Sequence, residues 1–177
     1  MCAFGALVLI VGIAAESDDM PGGDKQYAPP EFLLLDRTHL RKAIALGGEG
    51  DGCEVSVKDI EYICADASIQ HIQFTDVWID QKVYSMLAAQ PSLRTVAFSR
   101  TNVTDDAIAE LSRSRSITGV GVSDGVISGR SLELLGAMPQ LGFVSVYRCR
   151  LVSRKSMRKM KKTFANITIE TDIEATL

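Results

Sequence analysis

The sequence predicts an α/β solenoid in which strand–turn–helix units stack so that their strands line up as one parallel sheet. Three observations carry this. Residues 68–139 are three consecutive 24-residue blocks, SIQHIQFTDVWIDQKVYSMLAAQP, SLRTVAFSRTNVTDDAIAELSRSR and SITGVGVSDGVISGRSLELLGAMP, with apolar residues at the same offsets. Within a block the apolar spacing changes from two (Val96, Phe98) to three (Ile108, Leu111), as expected for a short strand followed by a helix. Between the two segments stand Asp80, Thr104 and Ser128, each a good N-cap residue.

The recurring apolar set is Ile69, Ile72, Phe74, Ile79, Tyr84 and Leu87. It returns as Leu93, Val96, Phe98, Val103, Ile108 and Leu111, and again as Ile117, Val120, Val122, Ile127, Leu132 and Leu135. One unit alone cannot bury this face, but stacked units turn each offset into a column, such as Phe74 over Phe98 over Val122 over Val146. Burying each side chain fully contributes roughly 1.5–3 kcal/mol, so the columns dominate stability.

Taken in order, residues 1–15 hold an apolar run, Ala3–Ala15, of signal-peptide or anchor length, with no basic segment ahead of it. A stray buried strand is the structural alternative. Residues 16–35 are acidic and rich in Gly and Pro, a flexible linker. The repeat domain is expected to occupy 36–177. It opens with a cap helix over 36–48, started by Asp36 or Thr38 and stopped by Gly47 and Gly48. Residues 53–67 are a degenerate half repeat in which Val55, Ile60 and Ile63 match the offsets of Val103, Ile108 and Leu111, and Ser56 with Asp59 can form a capping box. Repeats follow at 68–91, 92–115, 116–139 and 140–165. The last keeps Leu141, Val144, Val146 and Leu151 at core offsets, then slips by one residue to Met157 and Met160. A terminal strand over 166–170 closes the domain, with Glu170, Asp172 and Glu174 discouraging edge pairing.

The pattern L-x-x-L-x-L followed by T-x-V-T-D-x-x-I-x-x-L, clearest from Leu93 to Leu111, resembles the leucine-rich repeat of short bacterial, ribonuclease-inhibitor-like proteins, over roughly Gly47 to Glu170. The resemblance implies right-handed strand–turn–helix units and a curved parallel sheet whose concave face binds partners. It also likens the Leu40–Gly48 phrase to the helix that precedes the first repeat. Two departures stand out. The position where many such repeats carry Asn is Val77, Thr101, Gly125 and Cys149, which implies fewer side-chain hydrogen bonds in the loop ladder. The Thr-Asp pair is intact only at Thr104 and Asp105.

At 177 residues and 46% hydrophobic, the chain is long enough for one substantial core. Its net charge of −3 is distributed unevenly: acids dominate from Glu16 to Asp80, whereas Arg148, Arg150, Arg154, Lys155, Arg158, Lys159, Lys161 and Lys162 cluster without an acid. That cluster is a solvated helix face, an anionic-membrane contact or a dock for an acidic partner; nucleic acid is disfavoured because it holds few aromatics. Cys2, Cys53, Cys64 and Cys149 show no metal-ligand spacing with one another or with His39 and His71, and Cys53 and Cys149 fall at or near core offsets. No metal or cofactor is expected. The glycine-rich stretch Gly47–Gly52 lacks the G-K-[ST] ending of a phosphate loop and reads as a turn, and no nucleophile–base arrangement is visible.

On the concave face the resemblance places His71, Gln73 and Thr75; Thr95, Ala97 and Ser99; Gly119, Gly121 and Ser123; Phe143, Ser145 and Tyr147. Gly119 and Gly121 leave the middle bare beside an aromatic wall of Phe143 and Tyr147. Close approach of a partner accounts for this, and so does drift on an unused face. One position further, Asp76, Arg100, Asp124 and Arg148 alternate in sign, a ladder that fixes register. The expectation is a monomeric, non-catalytic interaction module for a protein or peptide, exported, periplasmic or membrane-tethered through its N-terminus. The alternatives are a cytoplasmic substrate-recognition subunit similar to the repeat half of F-box ubiquitin-ligase receptors, against which the lack of a preceding F-box-like helical segment counts, and an inert piece of a longer protein.

Overall fold

The computed structural model describes residues 34–35, 42–47 and 54–173. In chain order they form β1 (Leu34–Leu35), β2 (Lys42–Gly47), β3 (Glu54–Val55), α1 (Val57–Cys64), β4 (Ile69–Thr75), β5 (Trp78–Ile79) and α2 (Gln81–Ala89). Then come β6 (Thr95–Ser99), α3 (Asp105–Leu111), β7 (Gly119–Ser123), α4 (Gly129–Gly136), β8 (Phe143–Tyr147), α5 (Arg154–Thr163) and β9 (Thr168–Thr171). The main sheet runs β1-β2-β4-β6-β7-β8-β9, and every pairing after the first is parallel. β3 and β5 make a small parallel sheet of their own. Each helix packs on its sequence neighbours, α1 on α2 through to α4 on α5.

Strand alternation separates core from surface. In β6, Val96 and Phe98 are buried while Thr95, Ala97 and Ser99 are half-exposed. The register Phe74↔Phe98↔Val122↔Val146 gives the expected column, with each member at most 1% exposed. The rings of Phe74 and Phe98 stack at 5.3 Å, and Tyr84 tilts against Phe98 at 5.7 Å. From the helices come the buried columns Ile60, Tyr84, Ile108, Leu132 and Ile63, Leu87, Leu111, Leu135.

The caps form where the sequence places them. Ser56 and Asp59 make a reciprocal capping box, Ser56 N–H donating to Asp59 at 2.7 Å. The side chains of Asp80, Thr104 and Ser128 each accept from a backbone N–H in the first turn of their helix, and Ser153, not singled out from the sequence, does the same for α5.

Three expectations are corrected. The cap helix over 36–48 is not found at Lys42–Gly47, which is strand β2, paired parallel with β4 through Ile44↔Ile72 and Leu46↔Phe74. Ala and Leu favour a helix locally, but six residues cannot outweigh a neighbouring strand edge whose N–H and C=O groups need partners. The segment 53–67 therefore completes a repeat whose strand is β2. Because Ile44 pairs with Ile72 while Val55 pairs with Ile79, its strand-to-helix passage is four residues longer than in the next unit. Second, Leu34–Leu35, assigned to the linker, pair antiparallel with β2 as β1. Third, Leu151 is 60% exposed and Val152, 6% exposed, takes the core position, so the extra residue enters before Leu151 rather than after it. The apolar run 1–15, the rest of the linker, Cys2 and Cys53 lie outside the described residues.

The position expected to carry Asn is a buried column: Val77, Thr101, Gly125 and Cys149. Asn102, one residue along, supplies the hydrogen bonds instead, accepting from Ile79 N–H at 2.8 Å and donating to Ile79 C=O at 3.0 Å. Asp105, the intact member of the Thr-Asp pair, reaches the following unit. It accepts from the backbone N–H (2.8 Å) and hydroxyl (2.6 Å) of Ser128, and from the Ser131 hydroxyl.

Candidate interaction surface on the open sheet face

The sheet residues that point away from the core fall into three rows set by the register. The first runs His71, Thr95, Gly119, Phe143, Thr168. The second runs Gln73, Ala97, Gly121, Ser145, Glu170, and the third Thr75, Ser99, Ser123, Tyr147. Every predicted surface residue is thus on one face. Its floor is built of small side chains between a polar flank at His71 and Gln73 and an aromatic flank at Phe143 and Tyr147. At a strand spacing of about 4.8 Å the flanks stand about 14 Å apart.

From β4 to β8 no Asp, Glu, Lys or Arg lies in these rows, and in β9 Glu170 approaches Tyr147 Oη at 3.5 Å. Burial, then the Glu170 and Asp172 charges, hold the Tyr147 hydroxyl above its ordinary pKa, so it stays a neutral donor. His71 Nδ1 shares a hydrogen bond with Thr95 Oγ1.

The structure changes the reading of the two glycines. A Cβ on Gly119 would lie 2.9 Å from the Thr95 methyl, and one on Gly121 would lie 2.8 Å from Ser145 Oγ and 3.4 Å from Ala97 Cβ. The close approach inferred from the sequence is made by side chains of the adjacent strands. The bare floor is a consequence of sheet packing and is present without any partner.

The charge ladder forms the rim. Asp76, Arg100, Asp124 and Arg148 all adopt left-handed backbone conformations, with φ of 54°, 51°, 55° and 50°. This turns the chain out of each strand at the same point. Asp76, Arg100 and Asp124 N–H donate to Ser99, Ser123 and Tyr147 carbonyls at 3.0–3.1 Å. Arg148 N–H donates to the Asp172 carboxylate at 3.1 Å. Arg100 grips Asp76 in bidentate fashion, and Arg148 grips Asp124 at 2.7 Å through two nitrogens. These arginines hold both carboxyls below the usual range. Sequence reasoning found the ladder's charges but not Asp172, which keeps the 24-residue spacing from Arg148 yet, after the inserted residue, follows Thr171, the partner of Val146, and meets Arg148 through its carboxylate.

Elsewhere, a depression of about 400 Å³ is lined by Ala88, Ala89, Pro91, Arg94, Arg113, Arg115 and Ser116. Arg94 donates to Ser116 C=O at 3.1 Å and Arg113 to Glu110 at 2.7 Å, so two of its three cations are engaged. Among the described residues no group of three His, Cys, Asp or Glu side chains is placed to hold a metal, and no helix is long and apolar enough to cross a membrane.

No family model matches the chain, and no curated protein matches it. Among solved structures it is similar to leiomodin-1 actin-binding site 2, with a TM-score of 0.51 and 13% identity over 68% of this chain and 82% of that one. The likeness is one of fold. It agrees with a leucine-rich-repeat-like arrangement of parallel sheet and helices.

Proposed function

We propose that the chain is a non-catalytic protein-interaction module of the leucine-rich-repeat type, a right-handed solenoid that takes a protein or peptide partner on the open sheet face. The observation that carries this reading is the face itself: Gln73 is exposed, Thr95, Ala97, Gly121, Ser123, Phe143, Ser145 and Tyr147 are half-exposed, and no described helix covers them. A floor of small residues admits a bulky side chain, which Phe143 and Tyr147 then contact edge or face, and the surrounding hydroxyls supply hydrogen bonds. The structural neighbour is an actin-binding site of leiomodin-1, which supports a protein as the class of partner.

Photo-crosslinking tests the reading. A benzophenone residue at Ala97 or Ser123 should capture a discrete protein from the native organism, while one at Ala109 on α3 should not. Capture from Ala109 alone would sink it. Phe143→Ala with Tyr147→Ala should reduce capture at least about tenfold, as expected for an aromatic hot spot, with an unchanged melting temperature. Gly121→Trp must be made with Ser145→Ala, which vacates the 2.8 Å contact. Export through Ala3–Ala15 belongs to the same proposal and is tested by fusing residues 1–35 to a reporter active only outside the cytoplasm.

A further inference from the structure

The edge where the chain passes from sheet to helix exposes Trp78 (61%), Val126 (56%) and Leu151 (60%). Their spacing follows the repeat. Trp78 and Val126 lie two units apart, and Leu151 follows one unit later, displaced outward by the inserted residue that seats Val152 in the core. Backbone ladders hold the three in place, through Glu54↔Trp78, Thr104↔Val126 and Ser128↔Leu151. At strand spacing, Trp78 and Leu151 are about 14 Å apart. The intervening residue in the row, Asn102, spends its amide on Ile79.

Beside Leu151 the surface turns basic. Arg150 precedes it, and Arg154, Lys155, Arg158 and Lys162 follow, all exposed. Among the described residues none of these five is in a salt bridge, whereas Lys159 holds Glu133 at 2.6 Å and Arg148 holds Asp124 at 2.7 Å. The arrangement works against the helix that carries it. Arg154, Arg158 and Lys162 repel at i, i+4 spacing, and Arg154 and Lys155 in the first turn oppose the helix dipole. External anions relieve both costs.

We propose that this edge, with the outer face of α5, docks on an anionic lipid bilayer. Trp78, Val126 and Leu151 enter the headgroup region, where tryptophan is favoured, and Arg150, Arg154, Lys155 and Arg158 meet headgroup phosphates. Three apolar tips in a row, separated by a polar residue, do not form the contiguous apolar centre of a protein interface. A fluid headgroup layer fills the gaps between them. Nucleic acid would need stacking aromatics among the cations, and α5 has none. The surface is distinct from the open sheet face, and the inference stands independently of the partner proposed there.

Trp78 is the one tryptophan in the chain, so its emission reports on the edge directly. The full chain is titrated with phosphatidylcholine vesicles, with or without about 30% phosphatidylglycerol, and with polyglutamate. The expected result is a blue shift and protection from acrylamide on the anionic vesicles only, weakened by salt. Arg154→Glu/Lys155→Glu/Arg158→Glu should lower partitioning at least about tenfold. This variant places acids at a helix start and so retains its fold. Leu151→Ser should weaken binding while sparing its preference for anionic vesicles. The proposal is overturned by equal binding to neutral vesicles, by unchanged partitioning of the triple variant, by vesicle binding that leaves Trp78 open to acrylamide, or by a Trp78 shift with polyglutamate in place of vesicles.

Discussion

Buried Tyr84 and half-buried Gly136 show what residue type alone leaves out of the periodic pattern. Tyr84 occupies the offset of Ile60, Ile108 and Leu132, and its hydroxyl is buried without a hydrogen-bond partner. Burial pushes its pKa well up, so it is neutral throughout the working range. Tyr84→Phe keeps the ring against Phe98 and removes the orphaned group. It should raise stability by about 1 kcal/mol, read as a higher urea midpoint at unchanged m-value. Gly136 ends α4, and a Cβ there would lie 2.2 Å from the Phe164 ring. Gly136→Ala should destabilise by about 1–3 kcal/mol in spite of alanine's better helix propensity, and Phe164→Leu in the same chain should relieve the loss. Neither effect was legible in the sequence. Tyr84 matches an apolar offset like any other, and the Gly136–Phe164 contact joins consecutive units at positions outside the periodic set.

Beyond the shared apolar core, Asp105, Asn102 and the ladder are among the polar groups that join consecutive elements. Burial alone would raise the Asp105 pKa, but hydrogen bonds from Ser128 and Ser131 outweigh it and hold the carboxyl low. Asp76 and Asp124 are held low by their arginines. For a carboxyl whose folded pKa is depressed, the stabilisation is complete above its unfolded value, near 3.9, and is lost as pH falls through the folded pKa. Stability should therefore be level above about pH 5 and fall steeply below about pH 4. Asp105→Ala should cost about 2 kcal/mol at neutral pH and progressively less in acid, as urea titrations at a series of pH values would show. The sequence marked Asp105 as the intact Thr-Asp pair. It did not show that the carboxylate serves the next unit's cap, because that contact spans 23 to 26 residues.

In the whole molecule the units share one core, and Phe98 lies in its middle, touching the Phe74 and Tyr84 rings of the preceding unit. Phe98→Asp puts a charge with no partner into this column. It should abolish cooperative unfolding, seen as loss of near-ultraviolet circular dichroism, and a native-like melt would disprove the register. The repeat, the strand–helix order, the core columns and the caps were readable from residue type and spacing, and the residues of the open face from the resemblance to leucine-rich repeats. Each depends on a period within one chain segment or on the same offset in the next. Pairing decided the rest. Lys42–Gly47 became a strand because a sheet edge needed hydrogen bonds, against its local helix propensity. Leu151 was moved into solvent because only Val152 met the core after the inserted residue. Gly119 and Gly121 proved to make room within the sheet for the Thr95 methyl and the Ser145 hydroxyl of the adjacent strands. These outcomes arise from distances between units, and a linear sequence records a periodic contact only while the period holds.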